Sequence, residues 1–174
     1  LQAMQEILQN CPEAHIKVAG ISVLGVNGIK SRIKIPAYGK YLRRLILKNR
    51  LEGKVRVLGN LSAEEMKREY LSAQIFVCPS AVENSPNSVA EGQLLGVPVA
   101  ASRTGGIPDV VKDGVSGLLF EKGNVHELAA CVSRILTDKQ LAKELSASER
   151  ETAAKLYNGE NNYQKLIEIY QSIE

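Results

Sequence analysis

Short apolar runs alternate with longer amphipathic stretches along the whole chain. The short runs end at a glycine, proline or serine, or in an aromatic residue, which predicts strands at residues 15–20, 55–59, 74–80, 97–102 and 117–120. Apolar residues recur at helical spacing in the longer stretches, which predicts helices at 1–9, 40–48, 62–72, 86–95, 124–137, 138–156 and 161–173. A short helix is also expected within residues 105–114.

Several element boundaries carry their own signals. Ser62, with Glu65 three positions later, forms a capping box, the side-chain pair that opens a helix. Gly96 is expected to end the helix at 86–95, because glycine readily adopts the left-handed conformation of a helix terminus. Residues 21–39 stay ambiguous, since glycines and a proline, with Gly39 the last of them, interrupt any long element.

Strands that are apolar on both faces and separated by helices imply a parallel sheet that is covered on both sides. We therefore predict an α/β fold, a doubly wound Rossmann-like parallel sheet with helices on both faces, in a single domain over residues 1–174. In such sheets ligands bind at the carboxyl ends of the strands. The loops of interest follow Gly20, Gly59, Ser80, Ser102 and Phe120.

The composition is that of an ordinary globular protein, because 44% hydrophobic and 24% charged residues exclude a disordered chain. The net charge of +3 is modest. Nucleic-acid binding is not expected, since it needs a dense basic stripe interleaved with aromatic residues, and the chain has six Tyr, two Phe and no Trp. The basic residues between 30 and 54 form either a solvated face or a contact with phosphate or an acidic membrane.

Several other classes of chemistry are disfavoured. Cys11, Cys78 and Cys131 are odd in number and lack metal-ligand spacing, so we expect no disulfide, no metal and a reducing cytoplasm as the compartment. His15 and His126 have no partnering cluster and are expected to be structural. The sequence has no apolar run near the roughly 20 residues that span a bilayer, and no nucleophile elbow or Walker loop.

A loop and helix start at residues 83–91 carry the strongest candidate chemistry. Pro86 suits a first helical turn, where its missing N–H costs nothing. The free amides of Asn87, Ser88 and Val89 then point out of the helix start and, with the helix dipole, form an anion site suited to phosphate. No metal is needed if these amides neutralise the charge, and the sequence has no DxD-like acidic cluster to hold one.

Two glutamates flank this anion site. Glu91 lies about one helical turn further on and can accept two hydrogen bonds from the vicinal diol of a ribose, whereas Glu83, nearer the loop tip, can accept hydroxyls of a sugar. The alternative is that each glutamate only stabilises the helix, by about 0.3–1 kcal/mol. Gly105 and Gly106 let the backbone approach a ligand closely, although a plain strand-to-helix turn has the same sequence.

Residues 83–109, ENSPNSVAEGQLLGVPVAASRTGGIPD, resemble the E-x7-E motif of the retaining GT-B glycosyltransferases of family 4, the glycosyl transferases group 1. The flanking segments are similar to the family as well, so the likeness runs over nearly the whole chain. It implies the C-terminal, donor-binding half of a two-domain enzyme of polysaccharide or glycolipid biosynthesis. Such an enzyme moves a hexosyl group from a nucleoside diphosphate, such as UDP or GDP, to an acceptor hydroxyl with retention of configuration.

The resemblance also implies roles for individual residues. Glu83 matches the glutamate that contacts the donor sugar and is the candidate catalytic residue, and Glu91 matches the one that holds the ribose. The other donor-binding candidates are Asn87, Ser88 and Val89 at the diphosphate, Gly59 and Asn60 at the nucleobase, Ser85 near the sugar, and Gly20, Gly105 and Gly106 along the cleft. The nucleotide-sugar is the donor substrate, and no cofactor or metal is expected beside it.

The chain departs from the family at three places. Asn84 and Ser85 stand where members often have Gly and then Phe or Leu, which leaves the donor sugar open. Gly92 replaces a frequent Ala, which we attribute to close helix packing. The loop at residues 21–40 is longer than usual and has no assigned role.

Parts of the family's enzyme are expected outside this sequence, which begins within a helical pattern and without an initiator Met. They are the N-terminal domain that binds a sugar or lipid-linked acceptor, an Arg and a Lys that pair with the donor phosphates, and the first strand of the donor half. Either the sheet tolerates the loss of that strand or a neighbouring chain fills the gap. The chain alone is expected to bind nucleotide weakly without turnover, and peripheral contact of the full-length protein with a membrane stays open.

Three other interpretations of the sequence compete with this one. A nucleotide-sugar epimerase of the same architecture needs acid–base carboxylates and a histidine in the cleft. A non-catalytic nucleotide-sugar binding module is disfavoured by the intact Glu83 and Glu91. An unrelated doubly wound signalling domain carries an acidic pocket after its first strand, which this sequence lacks.

Overall fold

Every described strand pairs with a parallel neighbour, as the alternation of strands and helices predicts. The computed structural model describes residues 1–20 and 37–173. They fall into two units, Leu1–Glu69 and Tyr70–Glu174. The predicted α/β class, with parallel sheets flanked by helices, is confirmed. The pairing of the described strands is divided between a two-stranded and a three-stranded sheet.

The first unit contains the two-stranded sheet. In chain order its elements are α1 (Met4–Asn10), β1 (Ile16–Ala19), α2 (Ala37–Lys48), β2 (Val55–Gly59) and α3 (Ala63–Ser72), the last of which continues into the second unit. The expectation that strands are buried on both faces is wrong here, since Val18 of β1 is 39% exposed. On the opposite face of β1, Lys17 forms an ion pair with Glu69 of α3 at 2.6 Å, so that face carries a charged pair in place of an apolar contact.

Two local predictions in this unit have clear outcomes. The capping box of α3 is confirmed, because Ser62 N donates to Glu65 Oε2 at 2.8 Å and Glu65 N donates to Ser62 Oγ at 3.3 Å. The prediction that Gly39 interrupts a helix is wrong, since α2 begins at Ala37 and runs through it. Gly39 is buried inside this helix, although a helical glycine costs about 1 kcal/mol relative to alanine. Residues 21–36, most of the predicted long loop, lie outside the described residues.

The second unit contains the three-stranded sheet. Its elements are β3 (Phe76–Cys78), α4 (Asn87–Leu94), β4 (Val99–Ser102), α5 (Ile107–Val110), β5 (Leu118–Phe120), α6 (Val125–Thr137), α7 (Lys139–Leu156) and α8 (Gly159–Gln171). β4 lies between β3 and β5, and all of its residues are buried, as predicted for a strand covered on both faces. Asn158 caps α8 by accepting from Asn161 N, so this helix begins before the predicted residue 161.

The core of the second unit joins its three strands to α4 and α5. Its buried members are Cys78, Val89, Val99, Ala101, Ile107, Val111 and Leu119. Cys78 is therefore a core residue, as predicted, and the three cysteines are free thiols. Among residues 1–20 and 37–173, no helix is long and apolar enough to cross a bilayer.

Helix α7 braces the end of α4. Arg150 Nη2 donates to Leu95 O at 3.0 Å, and Ser146 Oγ donates to Gly96 O at 2.7 Å. Gly96 has a φ of +68°, which is the left-handed conformation predicted for the end of this helix. Two side chains of α7 thus satisfy carbonyls that the helix terminus leaves free.

A buried carboxyl joins α7 to the start of β4. Glu149 is 0% exposed, and its Oε1 accepts a hydrogen bond from Val99 N at 2.8 Å. Its Oε2 has no hydrogen-bond partner among the described residues. Burial raises the pKa of Glu149 to about 8, although the Val99 N–H acts in the opposite direction. The group is therefore mostly protonated at neutral pH.

Candidate functional site

The carboxyl ends of β3 and β4 are tied together at the base of the predicted site. Ser102 Oγ, at the end of β4, donates to Ser80 O, just beyond β3, at 2.7 Å. The Cys78 Sγ and Ser80 Oγ atoms lie 3.5 Å apart. The two loops that carry the candidate residues therefore leave the sheet from neighbouring, fixed positions.

The loop at Gly105 and Gly106 packs directly on the loop that carries Glu83. Gly106 N donates to Asn84 O at 3.0 Å. A Cβ atom at Gly105 would lie 1.6 Å from Glu83 O, and one at Gly106 would lie 2.2 Å from Asn84 O, so only glycine fits at either position. The structure thus shows a close approach of both glycines to the neighbouring backbone, and their approach to a ligand stays a prediction. The glycines set where Glu83 and Asn84 stand.

The start of α4 differs by one residue from the prediction. Pro86 precedes the helix with an extended backbone (φ −75°, ψ 109°), and its carbonyl accepts from Val89 N at 3.0 Å and Ala90 N at 3.3 Å. The Val89 amide is therefore not free, which corrects its assignment to the anion site. Its side chain is fully buried in the core.

The amides of Asn87 and Ser88 fit the prediction. Neither N–H donates to any acceptor within the part of the chain that the structure describes. They are the first two amides of an eight-residue helix, so they lie at the positive end of its dipole. Asn87 is exposed and Ser88 is half-buried, and both are accessible from solvent. These two N–H groups can bind an anion.

Glu83 and Ser85 precede this helix start along the chain, and Glu91 follows it. Ser85 is exposed in the loop before it, and Glu83 is half-buried there. Glu91 lies one turn into α4 and is exposed, so its carboxylate is open to solvent. The helix that carries Glu91 is anchored by Gln93, which is fully buried and donates to Val110 O at 3.0 Å.

A buried tyrosine beneath the helix start was not predicted. Tyr70 is 5% exposed, and its hydroxyl donates to Ser88 O at 3.0 Å. Burial and then the neighbouring Glu91 carboxylate raise the pKa of the Tyr70 hydroxyl. Its ring packs edge-on against Phe76, with centroids 5.3 Å apart. A single tyrosine near the end of a helix carries no sequence signal of this contact.

The predicted residues of the first unit also come together. Gly20 N donates to Gly59 O at 2.8 Å, just beyond the ends of β1 and β2. Both glycines have positive φ angles, +115° and +76°, so the turns after these strands favour glycine. Asn60 follows Gly59 and is exposed.

Two further residues, one after β4 and one within α4, lie next to these loops in the sequence. Arg103, directly after β4, is a cation at a strand end, but it forms ion pairs with Asp113 and, at 3.3 Å, with Glu121. The attribution of Gly92 to close packing is wrong, because a Cβ atom there would lie 3.4 Å from Phe76 Cδ1, an ordinary contact distance.

Comparison with known proteins decides the family. A family model described as glycosyl transferases group 1 matches residues 1–152. The chain belongs to this family. The resemblance predicted from the sequence is therefore confirmed.

Relatives of this group 1 chain extend well beyond it. A D-inositol 3-phosphate glycosyltransferase of Corynebacterium urealyticum is 30% identical over 173 residues, which cover 99% of this chain and 39% of that protein. HepE of Anabaena, solved in complex with UDP, has a TM-score of 0.81 at 22% identity over 98% of this chain and 44% of HepE. The chain spans less than half the length of the curated relatives that it matches.

A solved domain matches the chain over most of both lengths. It is the C-terminal domain of LpcC, a glycosyl transferase group 1 family protein from Francisella tularensis, with a TM-score of 0.65 at 16% identity. The match covers 88% of this chain and 92% of that domain. At this identity the likeness shows the fold, and it confirms the fold of GT-B glycosyltransferases.

Proposed function

We propose that this chain is the donor-binding part of a longer glycosyltransferase and binds a nucleoside-diphosphate sugar. One observation carries the proposal: the Asn87 and Ser88 amides at the start of α4 have no acceptor among the described residues, and Glu83 and Glu91 flank them along the chain. The amides suit a diphosphate, and the carboxylates suit hydroxyl groups on either side of it. HepE, of the same fold, is solved with UDP and with UDP-glucose, which supports this assignment.

The proposed ligand runs ribose, diphosphate, sugar across the helix start. Glu91 accepts from the ribose hydroxyls, Asn87 and Ser88 hold the diphosphate, and Glu83 faces the transferred sugar as the catalytic candidate. The Gly105–Gly106 loop fixes the Glu83 backbone, so it acts on the sugar through Glu83. The proposed reaction transfers a hexosyl group to an acceptor hydroxyl with retention of configuration, in polysaccharide or glycolipid synthesis.

The proposed chemistry is electrostatic and uses no metal. Two amides and the helix dipole stabilise the negative charge that develops on the departing diphosphate. Within the described residues, no three Asp, Glu, His or Cys side chains lie together at metal-binding distance. The acceptor, and cations for the phosphates, would come from parts of a longer protein, so the chain alone is proposed to bind without turnover.

The test is calorimetric titration of the 174-residue chain with UDP, GDP, ADP and inorganic pyrophosphate. We expect at least one nucleoside diphosphate to bind, and Glu91→Ala to weaken it much more than it weakens pyrophosphate. Glu144→Ala is the control, since Glu144 is an exposed glutamate on α7 that pairs only with Gln140 in the described structure. Absence of binding at millimolar concentration would refute the donor site, and equal losses for the two ligands would refute the ribose assignment.

Helix α2 supports a second proposal, peripheral contact of the longer protein with an anionic membrane. Lys40, Arg44 and Lys48 recur every four residues and are exposed, so they form one cationic row. Tyr38 and Tyr41, 61% and 48% exposed, flank that row. Aromatic rings beside cations suit the headgroup region of an anionic bilayer.

Vesicle sedimentation of the chain tests this surface. Binding to phosphatidylcholine vesicles that contain phosphatidylserine is expected, and each of Lys40→Ala, Arg44→Ala and Lys48→Ala should cost about 1 kcal/mol of it. Lys139→Ala on α7 is the control for loss of one positive charge. Equal binding to vesicles without phosphatidylserine would refute the electrostatic contact.

A further inference from the structure

The Tyr70 hydroxyl lies beneath the helix α4, which carries residues of both halves of the proposed donor site. Tyr70 is 5% exposed near the end of α3, and its hydroxyl donates to Ser88 O at 3.0 Å. Glu91 lies three residues after Ser88 on α4, so the two residues share one face of this helix, and the Glu91 carboxylate contributes to the raised pKa of the same hydroxyl. Ser88 contributes an amide to the proposed phosphate site, and Glu91 is the proposed ribose ligand. The hydroxyl thus lies next to residues of both the proposed phosphate subsite and the proposed ribose subsite.

The chemistry of a phenol limits what this contact can do. A tyrosine hydroxyl has one proton, so it can donate fully to only one of the two acceptors at a time. Burial keeps the proton on the oxygen, because a phenolate beside the Glu91 carboxylate would place two negative charges together. The hydroxyl therefore remains a donor at physiological pH, and it can turn between the Ser88 carbonyl and the carboxylate.

The ring itself is held in place. It packs edge-on against Phe76, with centroids 5.3 Å apart, on the buried side of α4. A fixed ring gives the hydroxyl a fixed position, whereas Glu91 is an exposed side chain with several rotatable bonds. A donor in a fixed position can hold one orientation of a mobile carboxylate.

We propose that Tyr70 is a positioning residue for the donor, which orients the Glu91 carboxylate toward the ribose. This inference rests on the proposed function, because it assumes that Glu91 binds the ribose. By donating to Glu91, the hydroxyl reduces the freedom that the carboxylate loses on ligand binding. Tyr70 does not touch the ligand itself.

The experiment compares Tyr70→Phe with the wild-type chain in calorimetric titrations with UDP, GDP, ADP and inorganic pyrophosphate. Phenylalanine keeps the packing on Phe76 and removes only the hydroxyl. We expect nucleoside diphosphate binding to weaken roughly 5- to 20-fold, as for loss of a hydrogen bond to a charged group, with pyrophosphate binding unchanged. In a Glu91→Ala background, Tyr70→Phe should have no further effect. Tyr163→Phe, at an exposed tyrosine of α8, is the control.

The outcomes separate this inference from the function on which it rests. If Tyr70 only holds the Ser88 carbonyl, Tyr70→Phe will weaken pyrophosphate as much as the nucleotides and will keep its effect in Glu91→Ala, which overturns the inference. If Glu91→Ala weakens nucleotides selectively but Tyr70→Phe does not, the proposed function stands and the role of Tyr70 is refuted. If Glu91→Ala has no selective effect, the ribose assignment and the role of Tyr70 both fail.

Discussion

Replacing Glu149 by glutamine tests how the second unit buries a carboxyl group against its sheet. The carboxyl is 0% exposed, and its hydrogen bond within the described structure comes from Val99 N at 2.8 Å. An ionised carboxylate in that position would lose its hydration for one hydrogen bond, so the group keeps its proton. Burial accordingly raises the pKa of Glu149 from its ordinary value of 4.5 to about 8.

The magnitude follows from proton linkage. Because the folded-state pKa is raised, the folded chain holds one more proton than the unfolded chain between pH 4.5 and about pH 8. The contribution of Glu149 to stability is complete below this window and is lost as the pH rises through it. At 1.36 kcal/mol per pKa unit, the free energy of unfolding should fall by about 4 kcal/mol between about pH 5 and about pH 9.

Urea unfolding followed by circular dichroism over this pH range measures the effect. Glu149→Gln keeps an oxygen for Val99 N and cannot ionise, so its stability should lack the fall that the wild type shows. Glu144→Gln, an exposed site on the same helix, should follow the wild type. If the curves of wild type and Glu149→Gln run parallel, or if the wild type gains stability relative to it as the pH rises, the carboxyl is not buried uncharged.

Three further substitutions have expected effects. Gly105→Ala should lower the free energy of unfolding by more than about 3 kcal/mol and weaken nucleotide binding, because its Cβ would collide with Glu83 O. Gly114 also has a positive φ but open space around it, so Gly114→Ala should lower this free energy by only about 1–2 kcal/mol. Equal losses for the two variants in urea unfolding would contradict the collision. Gly92→Ala should stabilise the chain by up to about 1 kcal/mol, since its Cβ fits against Phe76, and a clear loss of melting temperature would contradict it. Ser62→Ala should cost about 1 kcal/mol through loss of the capping box, while an unchanged unfolding midpoint would show that the box adds nothing.

The elements with strong local signals were predictable. The Ser62–Glu65 pair fixed the start of α3, and glycine at position 96 marked the end of α4. Parallel pairing followed from apolar strands separated by helices. The start of α4 was missed by one residue, because Pro86 is compatible both with the first turn and with the position before it. The Val89 amide is paired because it donates to Pro86 O three residues back, a tight first turn that the sequence does not signal.

The contacts between distant residues were less predictable. Glu149 pairs with Val99, which is 50 positions away, in a stretch rich in charged residues. A partial signal existed, because Leu141, Leu145 and Ala153 mark the buried face of α7 at intervals that place residue 149 on it. Tyr70 had no such signal, because its hydrogen bond to Ser88 O depends on how α3 and α4 pack together, which the sequence pattern does not show.

The central claim is that the start of α4 binds the diphosphate of a nucleotide, and amide NMR tests it most directly. Titration of the 15N-labelled chain with UDP, GDP, ADP and inorganic pyrophosphate should shift the Asn87 and Ser88 amide signals for every ligand that binds. These shifts should be among the largest in the second unit, and the nucleotides alone should also perturb Glu91. Large shifts elsewhere in that unit, with Asn87 and Ser88 unmoved, would show that the start of α4 does not bind the diphosphate.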